Sequence, residues 1–168
     1  VINGTTTGGK FGDSLAIGDF NRDGFGDLVV GAPAQGVAGE ALIYRGGPGA
    51  FNVTVDVTLT LTQAGARFGD AVANAGDLNG DGAVDLIVGA PGADVGANVD
   101  YGVAYLYLGG NGGPATSPAN ALIAQAPSRE FGINAAGIGD VNGDGIGDVA
   151  IAGMSSSVFS GSLHVWFG

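Results

Sequence analysis

The chain has 168 residues, 45% of them hydrophobic, and it contains 35 glycines and no cysteine. This length and composition predict one folded domain with its own core, exclude a disordered chain, and favour β structure interrupted by many turns. Its 16 acidic and five basic residues give a formal net charge of −11, which argues against nucleic acids and anionic membranes as partners. Since no apolar run approaches the roughly 18 residues that a membrane-spanning helix needs, membrane insertion is not expected.

In chain order, the first predicted element is a short strand at Val1–Gly4, followed by a repeating unit of about 60 residues. Each unit contains an acidic loop of pattern D-x-N-x-D-G-x-x-D, at 19–27, 77–85 and 140–148. A Phe-Gly pair precedes each loop, and Gly-Ala-Pro follows the first two loops. In the third unit, Ala152-Gly153-Met154 stands where Gly-Ala-Pro is expected. The recurrence of several motifs in one register indicates repeated structural units.

The second unit shows the strand pattern most clearly, with four predicted strands near 70–75, 85–90, 101–108 and 119–125. The acidic loop is then the hairpin between the first two strands of a four-stranded antiparallel sheet. The run Leu86-Ile87-Val88 is apolar throughout, as expected for a strand covered on both faces by neighbouring sheets. Such units are typical of propeller blades, so the predicted fold class is all-β, built from β-propeller blades.

The order of these motifs resembles the FG-GAP repeats of the integrin α-subunit β-propeller. Phe-Gly, the acidic loop, an apolar strand, Gly-Ala-Pro and an aromatic strand follow one another, and the resemblance covers nearly the whole chain. It implies a single module at 1–168 made of three four-stranded antiparallel blades. Blade 1 would span about 11–62, blade 2 about 68–126, and blade 3 about 131–168 together with strand 1–4.

The acidic loops have the ligand chemistry of calcium sites. Oxygen-bearing side chains at loop positions 1, 3, 5 and 9, with glycine at position 6 for a sharp turn, suit a hard cation that takes six to eight oxygens. Mg²⁺ is less well suited, because it requires a tight octahedron and retains its water. With the backbone carbonyl of position 7 included, the predicted ligands of about three Ca²⁺ ions per chain are Asp19, Asn21, Asp23, Phe25 and Asp27, then Asp77, Asn79, Asp81, Ala83 and Asp85, then Asp140, Asn142, Asp144, Ile146 and Asp148.

Two other interpretations of the loops are weaker. An EF-hand requires a bidentate Glu at loop position 12, where this chain has Val30, Val88 and Ile151. A metal-free interpretation, in which Asp, Asn and Gly merely favour turns, explains one such loop but not three with identical spacing. We therefore expect calcium clamps within β-hairpins.

The remaining motif residues have predicted packing roles. Phe11, Phe68 and Phe131 are expected to pack between blades, and Pro33 and Pro91 to end strands, because proline lacks the N–H that a strand ladder needs. The single histidine, His164, has no implied catalytic partner and is expected to be a packing or surface residue. No nucleophile elbow or phosphate-binding loop is present.

The expected function is therefore non-enzymatic. The resemblance implies an extracellular or cell-surface module for protein recognition or cell adhesion, with structural calcium on one rim and ligand recognition on the opposite rim. The recognition loops would be 34–39, 92–100 and 155–160, together with those that precede the Phe-Gly pairs. Asp94 and Asp100 in loop 92–100, the longest of the three, are expected to contact the ligand.

The assembly state stays open at the level of sequence. Three blades are fewer than the four to eight that close a propeller. Closure would follow from a homodimer of half-propellers or from a larger parent propeller, whereas donation of strand Val1–Gly4 to a neighbour would build a filament. The expected partner is thus a protein ligand or a second copy of the chain. A further alternative is an accessory domain of a larger secreted hydrolase.

Overall fold

The computed structural model describes residues 1–49, 51–124, 128–155 and 161–168. In this part of the chain there are eleven strands, and no helix that could span a bilayer is found. The strands are β1 (Leu15–Gly18), β2 (Asp27–Ala32), β3 (Glu40–Tyr44), β4 (Val57–Thr60), β5 (Val72–Gly76), β6 (Asp85–Ala90), β7 (Val103–Tyr107), β8 (Asn120–Leu122), β9 (Ser128–Gly139), β10 (Asp148–Ser155) and β11 (Gly161–Trp166).

The strands form three antiparallel sheets in chain order. Sheet I contains β1 to β4, sheet II contains β5 to β8, and sheet III contains β9 to β11. Each acidic loop joins the first two strands of its sheet, as predicted. The four strands predicted for the second unit are present with small shifts at their ends; residue 125 lies outside the described residues. The all-β blade architecture is confirmed, and the three sheets stack in series without closing into a ring.

Two apolar clusters hold the sheets face to face. The first interface joins sheet I to sheet II and includes Val29, Ile43 and Leu59 against Phe68 and Tyr107. The second interface joins sheet II to sheet III and includes Ile87 and Ala104 against Phe131, Val149 and Ile151. Strands β2 and β6 have side chains packed in apolar clusters on both of their faces, which explains their continuous apolar sequences.

The predicted packing role of the phenylalanines is confirmed for two of the three. Phe68 and Phe131 are fully buried in the first and second interfaces. Phe11 is only partly buried, because it lies on the outer face of sheet I, where no preceding sheet covers it. Pro33 and Pro91 follow directly after β2 and β6, as predicted.

The Phe-Gly and Gly-Ala-Pro motifs meet where one sheet contacts the next. A Cβ on Gly31 would lie 2.1 Å from the carbonyl oxygen of Gly69, and a Cβ on Gly89 would lie 1.9 Å from that of Gly132. Because carbon and oxygen atoms cannot approach so closely, both positions require glycine. The equivalent residue of sheet III is Ala152, on a face that no further sheet covers in the described structure.

The N-terminal residues differ from the prediction. Val1–Gly4 forms no strand and does not complete sheet III. Ile2 instead packs with Phe11 on the outer face of sheet I, against a cluster that includes Val30 and Tyr44. The physical reason is burial, since no sheet of the described structure covers this apolar face and Ile2 removes part of it from water. Consequently β11 pairs only with β10 among the described strands.

Candidate metal loops and the opposite rim

The three acidic loops share one pattern of hydrogen bonds. In each loop the position-1 carboxylate accepts the backbone N–H groups of positions 5 and 6, at 3.1 and 2.9 Å for Asp19, 3.1 and 2.7 Å for Asp77, and 3.1 and 2.8 Å for Asp140. Position 6 has a positive φ of 86°, 84° and 90° at Gly24, Gly82 and Gly145, the left-handed conformation that glycine adopts without strain. The glycine that recurs at position 6 therefore turns the chain back onto the first aspartate.

Positions 3 and 5 complete the inner side of each loop. The asparagine Oδ1 accepts the position-5 N–H, while its Nδ2 donates to the position-5 carboxylate, at 2.9 Å in Asn21–Asp23, 3.1 Å in Asn79–Asp81 and 2.8 Å in Asn142–Asp144. The other oxygen of the position-5 carboxylate accepts the position-7 N–H at 2.8 Å in all three loops. Side-chain oxygens of positions 1, 3 and 5 are thus drawn together.

The position-9 aspartates have a different environment. Asp27, Asp85 and Asp148 are 1%, 0% and 0% exposed, although each carries a carboxylate. One oxygen accepts the N–H of loop position 2, from Phe20, Leu78 and Val141 respectively. The other accepts an N–H at the end of the third strand, from Gly46, Gly109 and Gly168 respectively. Each of these carboxylates therefore ties the acidic loop to the third strand of its own sheet.

This structural role was not foreseen, although the sequence contains its signal. The glycines at the third-strand ends recur in register, and a Cβ on Gly46, Gly109 or Gly168 would lie within 2.5 Å of a loop-position-8 carbonyl oxygen. The strand end can approach the loop only when it has no side chain. Recurrent glycine there marks a loop-to-strand contact rather than a turn.

The carboxylates of one loop differ in acidity. Burial raises the pKa of the Asp27 and Asp85 carboxyls despite the two backbone hydrogen bonds that each accepts, and the other aspartates of the same loop raise it further. Slight desolvation would raise the pKa of Asp77, but the backbone donors of its loop outweigh it and lower that pKa. The Gly145 amide, followed by the other loop amides, lowers the pKa of Asp140. In the second loop, a buried carboxyl with a raised pKa, that of Asp85, thus lies beside the half-buried Asp77, whose pKa is lowered.

The donor set fits a hard cation. In the residues that the structure describes, no group of three or more acidic or histidine side chains already converges at metal-binding distance. Positions 1, 3, 5 and 9 of each loop nevertheless carry oxygen-bearing side chains, and the asparagine Nδ2–H donates to the position-5 carboxylate, where a cation would supply the positive charge. If the asparagine amide rotated so that its Oδ1 faced the position-5 carboxylate, a cation bound between the two oxygens would take the place of the N–H donor.

The opposite rim carries the loops that follow the second strands. Asp94 and Asp100 are both exposed, and Asp94 Oδ1 accepts the backbone N–H of Asp100 at 2.9 Å, so the two residues predicted to contact a ligand are bonded to each other within one loop. Asp100 also borders a cavity of about 150 Å³ that Arg129, Glu130 and Met154 line. Of the predicted recognition loop 155–160, residues 156–160 lie outside the described residues.

An ion-pair network on the same rim connects two sheets, and it was not predicted. Arg67 contacts Asp70 at 2.5 Å, and both residues lie in the segment just before β5 of sheet II. Arg67 also contacts Glu130 of β9 in sheet III at 3.1 Å. Glu130 occupies the position before Phe131 where the earlier units have Lys10 and Arg67. This reversal of charge at an otherwise basic position is the sequence signal for the contact.

Comparison with known families agrees with this architecture. Residues 11–55 match the FG-GAP repeat family, and residues 77–151 match the FG-GAP-like repeat family. With its sheets stacked as blades and its acidic hairpins in register, the chain belongs to the FG-GAP repeat proteins.

Its similar relatives are integrin α subunits. The chain is 34% identical to integrin alpha-6 of Homo sapiens over 163 residues, which is 94% of this chain and 14% of the relative. It is 35% identical to integrin alpha-PS5 of Drosophila melanogaster over 136 residues, 79% of this chain and 13% of the relative. It is 33% identical to integrin alpha-IIb of Mus musculus over 168 residues, 93% of this chain and 16% of the relative. The chain therefore spans about one seventh of the length of these proteins.

Proposed function

We propose that the chain is a calcium-stabilised, non-enzymatic recognition module that acts outside the cell or at its surface. The observation that carries the proposal is the triple occurrence of one oxygen-lined hairpin loop, with the same hydrogen bonds, in a chain that matches integrin α subunits along most of its length. Protein recognition or cell adhesion is the function that this similarity supports best.

The charge distribution supports a cation in each loop. Nine of the 16 acidic residues belong to the three loops. The other seven are nearly balanced in number by the five basic residues of the chain. The excess negative charge is thus concentrated at the predicted sites, where a divalent ion would offset the repulsion between neighbouring carboxylates. The same ion would reduce the penalty of keeping the position-9 carboxylates ionised while they are buried.

Calcium would act structurally in this proposal. Asp, Asn and the position-7 carbonyl of each loop would hold the ion, and the position-9 aspartate would transmit its hold to the third strand through Gly46, Gly109 or Gly168. A filled loop would therefore stiffen one rim of each blade. Oxygen sites of modest affinity are occupied at the millimolar calcium concentrations found outside cells, which agrees with an extracellular location.

The opposite rim is the proposed recognition surface. Loops 34–39 and 92–100 lie there, and the exposed pair of Asp94 and Asp100 gives the longer loop an acidic tip. Such a tip favours a ligand with a basic group or a shared cation, because exposed carboxylates attract positive charge. Replacing both aspartates by serine should weaken ligand binding while leaving calcium uptake by the hairpins unchanged.

Calorimetry tests the calcium proposal directly. Titration of Ca²⁺ into chelator-treated protein should reveal about three sites per chain, and calcium should raise the melting temperature by mass action. Mg²⁺ at the same concentration should raise it less. The matched control is a variant with Asp81→Asn and Asp77→Asn, which should lose one site of the three.

Two results would contradict the proposal. One is the absence of binding at millimolar calcium, and the other is a melting temperature that calcium leaves unchanged. Binding with unchanged stoichiometry in the double variant would instead place the ions outside the second loop.

Self-association is the second candidate function, and two observations favour it. Among the described strands β11 pairs only with β10, so its other edge is available for pairing, and Leu163 and Val165 of the same strand are exposed. Light scattering separates a closed dimer, which has one mass, from a filament that grows with concentration.

A further inference from the structure

An apolar cleft lies between sheets II and III. Its volume is about 190 Å³, and it opens beside β8 and the end of β11. Leu78 of the second acidic loop, Leu106 and Leu122 of sheet II, and Val149 and Trp166 of sheet III form its walls. The polar side-chain groups among the described residues that line it are the Asn120 amide and the indole N–H of Trp166. The cleft therefore offers no charge to an ionic ligand.

The first interface shows what occupies this place when the packing is complete. Loop position 2 is Phe20 in the first repeat, and its ring is 0% exposed within the cluster that joins sheets I and II. The second repeat has Leu78 at the same position, and that side chain is only partly buried. A phenyl ring fills the first interface where a smaller branched side chain leaves part of the second interface open.

A second position shows the same difference. In sheet I, Val57 pairs with Ile43 and packs against the first-interface cluster. In sheet II, the equivalent residue is Asn120, which pairs with Leu106 and is exposed. Two apolar groups that close the first interface, Phe20 and Val57, are therefore replaced in the second by Leu78 and Asn120. The cleft results from these two replacements.

We propose that the cleft between sheets II and III binds one uncharged aromatic ring. The volume matches this ligand, because an apolar protein cavity of about 150 Å³ accommodates benzene, whereas sites for drug-sized ligands begin at about 300 Å³. The ring would occupy the place that the Phe20 side chain fills in the first interface, between leucine side chains and the Trp166 indole. Offset or edge contacts with that indole would add to the burial of apolar surface.

The occupant is the ring of a free aromatic compound, because the volume of about 190 Å³ accommodates a single ring. A phenylalanine side chain of a protein partner is the alternative that the experiment distinguishes. Benzene and N-acetylphenylalanine amide represent the two sources as probes.

Trp166 provides the measurement, because it is the only tryptophan of the chain and lines the cleft. Titration of folded, calcium-containing protein with benzene should change the Trp166 fluorescence in a saturable way and raise the melting temperature. Comparable binding of N-acetylphenylalanine amide indicates a peptide side chain as the source, whereas binding of benzene alone indicates a free compound. The proposal is overturned if neither probe gives a saturable change.

Two substitutions of the same kind locate the binding. Leu78→Phe restores the ring of the first interface and should weaken benzene binding at least about tenfold, a change well above measurement error. Val141→Phe introduces the same ring at the same loop position of the third repeat, where the side chain is 56% exposed, and should leave binding unchanged. Equal affinities in the two variants would overturn the proposal. If Leu78→Phe does not fold, Leu106→Phe narrows the same cleft from β7 of sheet II and serves the same comparison.

Discussion

At the scale of the residue, the position-9 aspartates have two roles that can be separated. Each is a predicted calcium ligand, and each also accepts two backbone hydrogen bonds that connect the loop with the third strand. The position-5 aspartates are exposed and bond only within their own loop. A substitution at position 9 should therefore affect the fold even without metal, whereas one at position 5 should not.

The second loop offers the test. Asp85→Asn replaces one acceptor oxygen by an amide group and should lower the free energy of unfolding by about 1–3 kcal/mol in chelator, because it leaves the N–H of Leu78 or Gly109 without its acceptor. Asp81→Asn should change that free energy in chelator by less than about 0.5 kcal/mol. Urea denaturation with and without calcium measures both effects. Equal losses in chelator would contradict the proposed division of roles.

At the scale of the element, glycine decides how closely neighbouring sheets approach. The Gly31 and Gly89 positions lie against the carbonyl oxygens of Gly69 and Gly132 in the next sheet. This contact also explains why the Phe-Gly and Gly-Ala-Pro motifs occur together, since each supplies one side of it. Ala152 interrupts the pattern on the face of sheet III where no neighbour is described.

Gly89→Ala should therefore destabilise the second interface. Its Cβ would lie 1.9 Å from the Gly132 oxygen, so the sheets must separate, and we expect a loss of about 1–3 kcal/mol in unfolding free energy. The opposite exchange, Ala152→Gly, should cost only the backbone entropy of a glycine in a strand, about 0.5–1 kcal/mol. Thermal melting compares the two variants. A Gly89→Ala variant as stable as the original chain would contradict the close approach of the two motifs.

At the scale of the whole molecule, the three sheets form a stack with two unlike ends. Ile2 and Phe11 partly cover the outer face of sheet I. No sheet of the described structure covers the outer face of sheet III, where Leu163 is 70% exposed, whereas the equivalent Ala41 and Ala104 are fully buried by the next sheet. Exposed apolar surface of this kind promotes association. The glycine contact of the other interfaces cannot be repeated there, because Ala152 carries a Cβ.

The 168-residue chain should consequently associate through sheet III as its concentration rises. Leu163→Lys should shift the mass measured by light scattering towards the monomer, because it places a charge on the outer face of sheet III. Val99→Lys, at an exposed position of the opposite-rim loop, is the control and should not alter the mass.

Leu15→Lys then separates the modes of association. Leu15 is exposed on the outer face of sheet I, so it should matter for a head-to-tail filament but not for a dimer formed by two copies of sheet III. A mass that does not depend on concentration, and that Leu163→Lys does not change, would contradict association through this face.

The sequence by itself determined the repeat, the strand order within each blade and the position of the acidic hairpins. These features depend on local pattern, in which Asp, Asn and Gly specify the loop and continuous apolar runs such as Leu86-Ile87-Val88 specify a strand covered on both faces. The Phe-Gly and Gly-Ala-Pro motifs could be recognised in the sequence. The contact between them could not, because the two motifs that meet belong to neighbouring repeats.

Only the tertiary structure decided the remaining features, since each depends on which surfaces meet. Val1–Gly4 could have paired at the edge of sheet III, but the uncovered apolar face of sheet I binds Ile2 instead. The burial of Asp85 and its bond with Gly109 follow from the approach of a strand end 24 residues away. The cleft beside Trp166 exists because Leu78 and Asn120 of sheet II stand at the second interface where the larger or apolar Phe20 and Val57 fill the first. Such long-range contacts depend on side-chain volume at positions that no local pattern relates.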